Sequence, residues 1–201
     1  MITIIDYGLG NVLALKNVYN KFNIPVTIAK NPDDLIGASK LILPGVGSFD
    51  YAMKKLHLSG MLQSIEVLVL NHKIPVLGIC VGMQMLAKSS DEGVIPGLGW
   101  VDAKVRRFNT SNNFVLPHMG WNDVYPTYYS GLFKGMDAEA KFYFLHSYYF
   151  EALRDSDITG RSDYGAEFTC AIQSENIFGV QFHPEKSHSF GIKLLKNYSE
   201  I

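Results

Sequence analysis

Cys80 sits between two glycines in "GICVG" (78–82), directly after the apolar run "IPVL". A G-x-C-x-G placed between a strand and a helix has the logic of a nucleophile elbow. The turn is so sharp that side chains at Gly78 and Gly82 would collide, and it holds the central side chain away from the backbone. A helix starting there would aim its N-terminus at the sulfur and favour the thiolate. Free cysteine is also among the most buried residue types, so these five residues alone leave a packed core cysteine open.

A sulfur nucleophile needs a base, and the base needs an orienting group. "FHPE" (182–185) offers both as His183 and Glu185, at the end of the apolar strand "FGVQF". In an extended stretch, residues two apart point to one side, so imidazole and carboxylate can lie together. Pro184 disfavours helix at His183 and keeps the stretch extended. Glu185 would then accept the Nδ1 proton and leave Nε2 facing the thiol. The third element is "LPGVGSF" (43–49), where turn glycines past a strand can offer main-chain N–H groups to a developing oxyanion. Gly45, Val46 and Gly47, with the N–H of Val81, would make a two-donor hole, although P-G-V-G is by itself a common turn.

The elements around these residues alternate in the first half. "ITIID", "IPVTIAK", "KLILPG" and "IPVLGIC" read as strands of a parallel sheet. Between them, "NVLALKNVYNKF" places Val12, Leu15, Val18 or Tyr19, and Phe22 near one helical face. "PDDLIG" reads as a short helix, 49–71 as mostly helical, and "GMQMLAKSS" as a helix after the elbow. The second half is β-rich, with a hairpin turn at Ser174–Asn176 and a loop at 109–113, and it closes on a helix, "SFGIKLLKNYSE". In an open α/β sheet, ligands bind outside the carboxyl ends of the strands, which is where all three chemical elements fall.

The 201 residues suit one compact domain over 1–201. A net charge of −1 without a basic run points to neither nucleic acid nor a membrane surface as partner. "MITIIDYGLG" lacks the basic start and continuous apolar stretch of a signal peptide, and no segment approaches a membrane span in length. Two distant cysteines do not make a disulfide framework, so the expectation is a soluble protein of the cytoplasm. "GLG" after the first strand lacks the third glycine of a dinucleotide fingerprint, since position 13 is Leu13. The six histidines and two cysteines show no C-x-x-C or H-x-x-x-H spacing, so neither a metal nor another cofactor is expected. His118 and His146 read as hydrogen-bonded partners in the β-rich half, and His57, His72 and His188 as surface residues.

A cysteine elbow, an earlier glycine turn and a distant H-P-E together resemble the class I (triad) glutamine amidotransferases. "DYGLGN", "LPGVGSF", "GICVGMQMLAKSSDEG", "GLGW", "PHMGWN", "FYFLHSYYF" and "VQFHPEKS" are similar, in order and over essentially the full length, to the glutaminase-subunit family of imidazole glycerol phosphate synthase. The resemblance implies the flavodoxin-like α/β fold of class I glutamine amidotransferases, with a mostly parallel central sheet flanked by helices. It implies that Cys80 attacks the side-chain amide of L-glutamine, that His183 protonates the departing ammonia, and that Glu185 orients His183. Gln84, Ser147 and Tyr148, with the backbone around Gly47, would contact the substrate. Ammonia would pass to a (β/α)8-barrel cyclase subunit, giving imidazole glycerol phosphate and AICAR in histidine biosynthesis. Asn11, Trp121, Asn122 and Lys186 fall where the resemblance places that heterodimer interface, although tryptophan is usually packing and lysine a solvated surface residue. The elbow departs in carrying Val81 where that family usually has leucine.

The same motifs are implied for a paralogous glutaminase that supplies ammonia for amino or amidino sugars of surface polysaccharide. Two readings of other classes compete. A cysteine peptidase would place its histidine directly after the cysteine, and a scaffold that has lost catalysis would not keep Cys80, His183 and Glu185 together. The resemblance also implies low activity for the isolated chain, with the 45–47 turn misoriented until the partner binds its ligand.

Overall fold

The computed structural model describes residues 1–109, 115–127, 130–136 and 140–201. The first half runs β1 (Ile2–Ile5), α1 (Val12–Lys21), β2 (Val26–Ala29), β3 (Lys40–Gly45), α2 (Phe49–Leu58), α3 (Leu62–Glu66), β4 (Val76–Cys80) and α4 (Val81–Met85). The second half runs β5 (Ser89–Ser90), β6 (Ala103–Arg107), β7 (His118–Asp123), β8 (Tyr125–Pro126), β9 (Lys141–His146), β10 (Tyr148–Ala152), β11 (Ile158–Asp163), β12 (Glu167–Ser174), β13 (Ile177–Val180) and α5 (His188–Glu200).

Among the described residues, one 11-stranded sheet has the order β2-β1-β3-β4-β13-β12-β10-β6-β5, with β11 and β8 branching from β12. It is parallel from β2 through β13 and antiparallel from there to β6, so the α/β half and the β-rich half share one mixed sheet. β1 and β4 are buried along their whole length, as near-continuous apolar runs require when helices cover both faces. β7 and β9 form a separate antiparallel ribbon, with His118 opposite His146 and Trp121 opposite Tyr143. The rings of Phe142 and Phe182 stack 4.0 Å apart and tie that ribbon to the chain leaving β13.

Two local expectations change. α4 ends at Met85, and Ser89–Ser90 instead pairs with Lys104–Val105 at the sheet edge, because a tertiary ladder outweighs the helix propensity of "LAKSS". On α1 the buried face is Val12, Leu15 and Tyr19, whereas Phe22 lies beyond the last turn and is 40% exposed. Residues 49–71 are mostly helical, as expected, with a break at Gly60, which adopts φ +72°, and a π-helical last turn over Val67–Asn71. The short helix expected in "PDDLIG" forms over Pro32–Leu35 as a 3₁₀ helix capped by the Asn31 side chain. The Ser174–Asn176 hairpin turn forms where the sequence placed it. Of the 109–113 loop, only Asn109 is among the described residues.

Candidate active site

β3, β4 and β13 end side by side, with Gly45 in register with Cys80 and Val180 with Ile79. Cys80 has φ +56° and ψ −114°. A side chain held in that left-handed region costs about 1–3 kcal/mol, and packing around the turn must compensate. The surrounding glycines permit it. A Cβ at Gly78 would lie 2.7 Å from the Gly82 carbonyl oxygen, and one at Gly45 would lie 2.4 Å from the Gly82 nitrogen. A Cβ at Gly82 would lie 1.9 Å from the Leu43 oxygen, so Gly82 is required by β3 rather than by Gly78. Tyr7 reinforces the same corner by donating its hydroxyl to the Pro44 carbonyl at 2.7 Å.

His183 follows β13 in an extended conformation, and Pro184–Lys186 then closes a 3₁₀ turn. Glu185 therefore meets His183 through that turn, not through the alternation of a strand. His183 Nδ1 donates to Glu185 Oε1 at 3.0 Å, with both side chains almost fully buried. Ser187 locks the turn: its hydroxyl donates to the His183 carbonyl at 2.6 Å and accepts the Tyr143 N–H at 3.0 Å. Burial pushes the His183 imidazole down, but hydrogen bonds and charge from Cys80 and Glu185 outweigh it and raise the group to about 10. The resting site thus favours an imidazolium beside the sulfur. α4 is only five residues long, so the charge facing the sulfur comes from His183 more than from a helix dipole.

Cys80 opens on a cavity of about 330 Å³ that is also lined by Val46, Gly47, Val81, Gln84 and His183. Ser147, Tyr148 and Lys186 complete the expected set in its walls, while Gly45 stays within β3. Val46 and Gly47 are exposed, and Gly47 adopts φ +88°. Gln84 is buried, and its amide Nε2 donates to the Tyr148 carbonyl at 3.1 Å and to Gln181 Oε1 at 3.0 Å.

The residues expected at an interface divide. Trp121, 47% exposed, stacks flat on His188 at 5.0 Å, and Lys186 lies 5.6 Å above the Tyr143 ring. Asn122 is tied down by the Asp163 carbonyl at 2.7 Å. Asn11 is exposed at the N-cap position just before α1 but makes no side-chain capping bond, and α1 touches the 184–186 turn.

Two residues of the site escaped the sequence reading. Gln181 is fully buried and directs Nε2 at Cys80 Sγ, 3.8 Å away, and its signal was a polar residue inside the apolar "FGVQF". Glu92, in "SSDEG", accepts the Phe49 N–H on Oε2 at 2.8 Å and is the carboxylate of the cavity lining. His118 and His146 do bond to each other, at 2.9 Å, and His146 also lines the cavity.

The chain matches the family model for glutamine amidotransferase class-I over residues 3–199. It is 57% identical, over the full length of both chains, to the imidazole glycerol phosphate synthase subunit HisH of Bdellovibrio bacteriovorus. It is 48% identical, again over both full lengths, to the protein of the same name from Leptospira interrogans. In fold it is similar to the structure of PurLQS from Thermotoga maritima, with a TM-score of 0.74 over 98% of this chain and 95% of that one, at 17% identity.

Proposed function

The chain belongs to the class-I glutamine amidotransferases, and from that membership we propose that it is the glutaminase subunit of an imidazole glycerol phosphate synthase. Full-length identity of 57% and 48% to subunits bearing that name favours histidine biosynthesis over sugar amidation. The single observation that carries the chemistry is Cys80, held at positive φ beside a His183 that is bonded to Glu185.

In this reading Cys80 Sγ attacks the side-chain carbonyl carbon of glutamine. The developing oxyanion is met by main-chain N–H groups of Val81 and the 45–47 turn. The tetrahedral intermediate collapses as His183 gives its proton to the amide nitrogen. Ammonia leaves, and a γ-glutamyl thioester remains on Cys80. His183, now neutral, takes a proton from water as it attacks the thioester. Glutamate departs and the sulfur regains its resting state. Glu185 keeps Nδ1 protonated, so that Nε2 faces the reacting atoms in both halves. Gln84 with the Ser147–Tyr148 stretch forms the substrate wall, and Glu92 supplies a carboxylate for the substrate's ammonium group. The ammonia is used by a (β/α)8-barrel cyclase subunit docked over Asn11, Trp121, Asn122 and Lys186, in the cytoplasm. Residues 1–201 act as one domain, which the shared sheet and the 3–199 family match support.

Glutamate release from glutamine is measured with the chain alone, with its cyclase partner and in Cys80→Ala. Partner-stimulated release that vanishes in the variant is the expected outcome. Release that survives loss of the thiol refutes the mechanism, and cleavage of peptides instead supports the peptidase reading.

A further inference from the structure

His118 and His146 are the centre of a hydrogen-bond chain whose polarity can be assigned from its two ends. A carbonyl only accepts, so the 2.8 Å contact between His146 Nδ1 and the Tyr148 carbonyl requires Nδ1–H on His146. Burial lowers His146 to about 3 and His118 to about 4, so both rings are neutral near pH 7. His146 Nε2 is then an acceptor, and the 2.9 Å contact must come from Nδ1–H of His118. That leaves His118 Nε2 as an acceptor, and it faces the Asn122 amide nitrogen, a donor, at 3.2 Å. Every link is satisfied in one tautomeric arrangement, with both histidines carrying their proton on Nδ1.

The inner end of the chain reaches the site. The Tyr148 carbonyl that accepts from His146 also accepts from Gln84 Nε2, whose second N–H is held by Gln181 Oε1. Gln84 is therefore fixed by two acceptors, one of which is itself fixed by His146. His118 does not line the cavity, and it is clamped between the rings of Tyr164 at 4.0 Å and Phe144 at 4.8 Å.

We propose that the His118–His146 pair is a positioning element for glutamine binding: it holds the Tyr148 carbonyl, and through it the Gln84 side chain, at the wall of the cavity. The inference rests on the glutaminase reading of that cavity. Neither ring transfers a proton in the reaction.

The test compares His118→Phe and His118→Asn in complex with the cyclase partner. Phenylalanine keeps the ring stack but removes the donor to His146. Asparagine can place an N–H near the Nδ1 position. KM for glutamine is expected to rise about tenfold or more in His118→Phe, as the loss of one buried hydrogen bond implies. In both variants kcat stays within about threefold, and His118→Asn recovers most of the KM. Unchanged KM in His118→Phe, a loss confined to kcat, or an asparagine variant as impaired as phenylalanine overturns the proposal. Imidazole nitrogen NMR of the wild-type chain at pH 7 gives a readout independent of turnover. Both rings are expected as Nδ1–H tautomers, and an Nε2–H tautomer or an imidazolium at either position also overturns it. A wild-type complex that releases no glutamate would instead refute the glutaminase reading, while the tautomers still decide whether the pair is built as described.

Discussion

Glu185→Gln changes one charge in the site and almost no volume. The carboxylate is nearly fully buried, with Oε1 3.0 Å from His183 Nδ1 and Oε2 buried without a hydrogen-bond partner among the described residues. A glutamine has two ways to fit. If its oxygen faces Nδ1, its NH₂ falls where Oε2 was, and a buried amide without an acceptor costs about 1–3 kcal/mol. If its NH₂ faces Nδ1, the imidazole must carry its proton on Nε2, and the neutral ring can no longer accept a proton there. Both fits remove the negative charge that helps raise His183 to about 10. In triads of this logic the loss of the orienting carboxylate lowers kcat by about 10²–10⁴. The expectation is therefore a kcat reduced by about 10²–10⁴ with KM within about threefold, measured as glutamate release by the partner complex. The imidazole titration of His183, followed by NMR in the variant, falls back toward 6.5. The stability effect has a definite sign. A group raised in the folded state contributes stability fully present below its unfolded value and lost as pH climbs through its folded value. The excess stability of wild type over Glu185→Gln that arises from this titration is thus complete below about 6.5 and fades by about 10, as read by denaturant unfolding at several pH values. A kcat within fivefold of wild type, or a His183 that titrates unchanged, refutes the assignment of Glu185 as the orienting charge.

Gly82→Ala sets a methyl 1.9 Å from the Leu43 carbonyl oxygen, and main chain cannot yield as a side chain can. It is expected to lower stability by at least about 1–3 kcal/mol in urea titration and to abolish glutaminase activity. Iodoacetamide is expected to modify one thiol per native chain, at Cys80, because Cys170 is fully buried and burial pushes its thiol far up; mass spectrometry after digestion locates the label. Trp121→Ala removes a half-exposed ring stacked on His188, and it is expected to weaken association with the cyclase in calorimetry while leaving the alkylation rate of Cys80 unchanged.

What could be read from the sequence was what backbone rules enforce locally. The elbow was legible because close backbone approach at Gly78 and Gly82 demands glycine at set positions on either side of Cys80. The strands β1, β3 and β4 were legible because burial on both faces writes an apolar run. The pairing of His183 with Glu185 was anticipated on the wrong geometry: the two meet through a 3₁₀ turn, and the Ser187 hydroxyl that stabilises it lies two residues further on. The end of α4 was missed because Ser89 and Ser90 find their partners in Lys104 and Val105, a pairing that no window around residue 89 contains.

Gln181 shows why the rest of the site resisted. In "FGVQF" a glutamine can be a core position with a satisfied amide, a rim position or a binding residue, and the strand pattern does not choose among them. The choice is made by what stands opposite. Its oxygen accepts a hydrogen bond from Gln84 Nε2, ninety-seven residues away, and its nitrogen faces Cys80, one hundred and one residues away. The same holds for His118 and His146, whose tautomers follow only once a carbonyl and an amide are known to lie at the two ends of the pair. A close backbone approach is specified by a single glycine and is visible one residue at a time. Hydrogen-bond polarity is passed along a chain of donors and acceptors from an end that can only accept, here the Tyr148 carbonyl, and it is undetermined without that end. The triad could therefore be named from motifs, while the groups that hold its substrate wall in place required the fold.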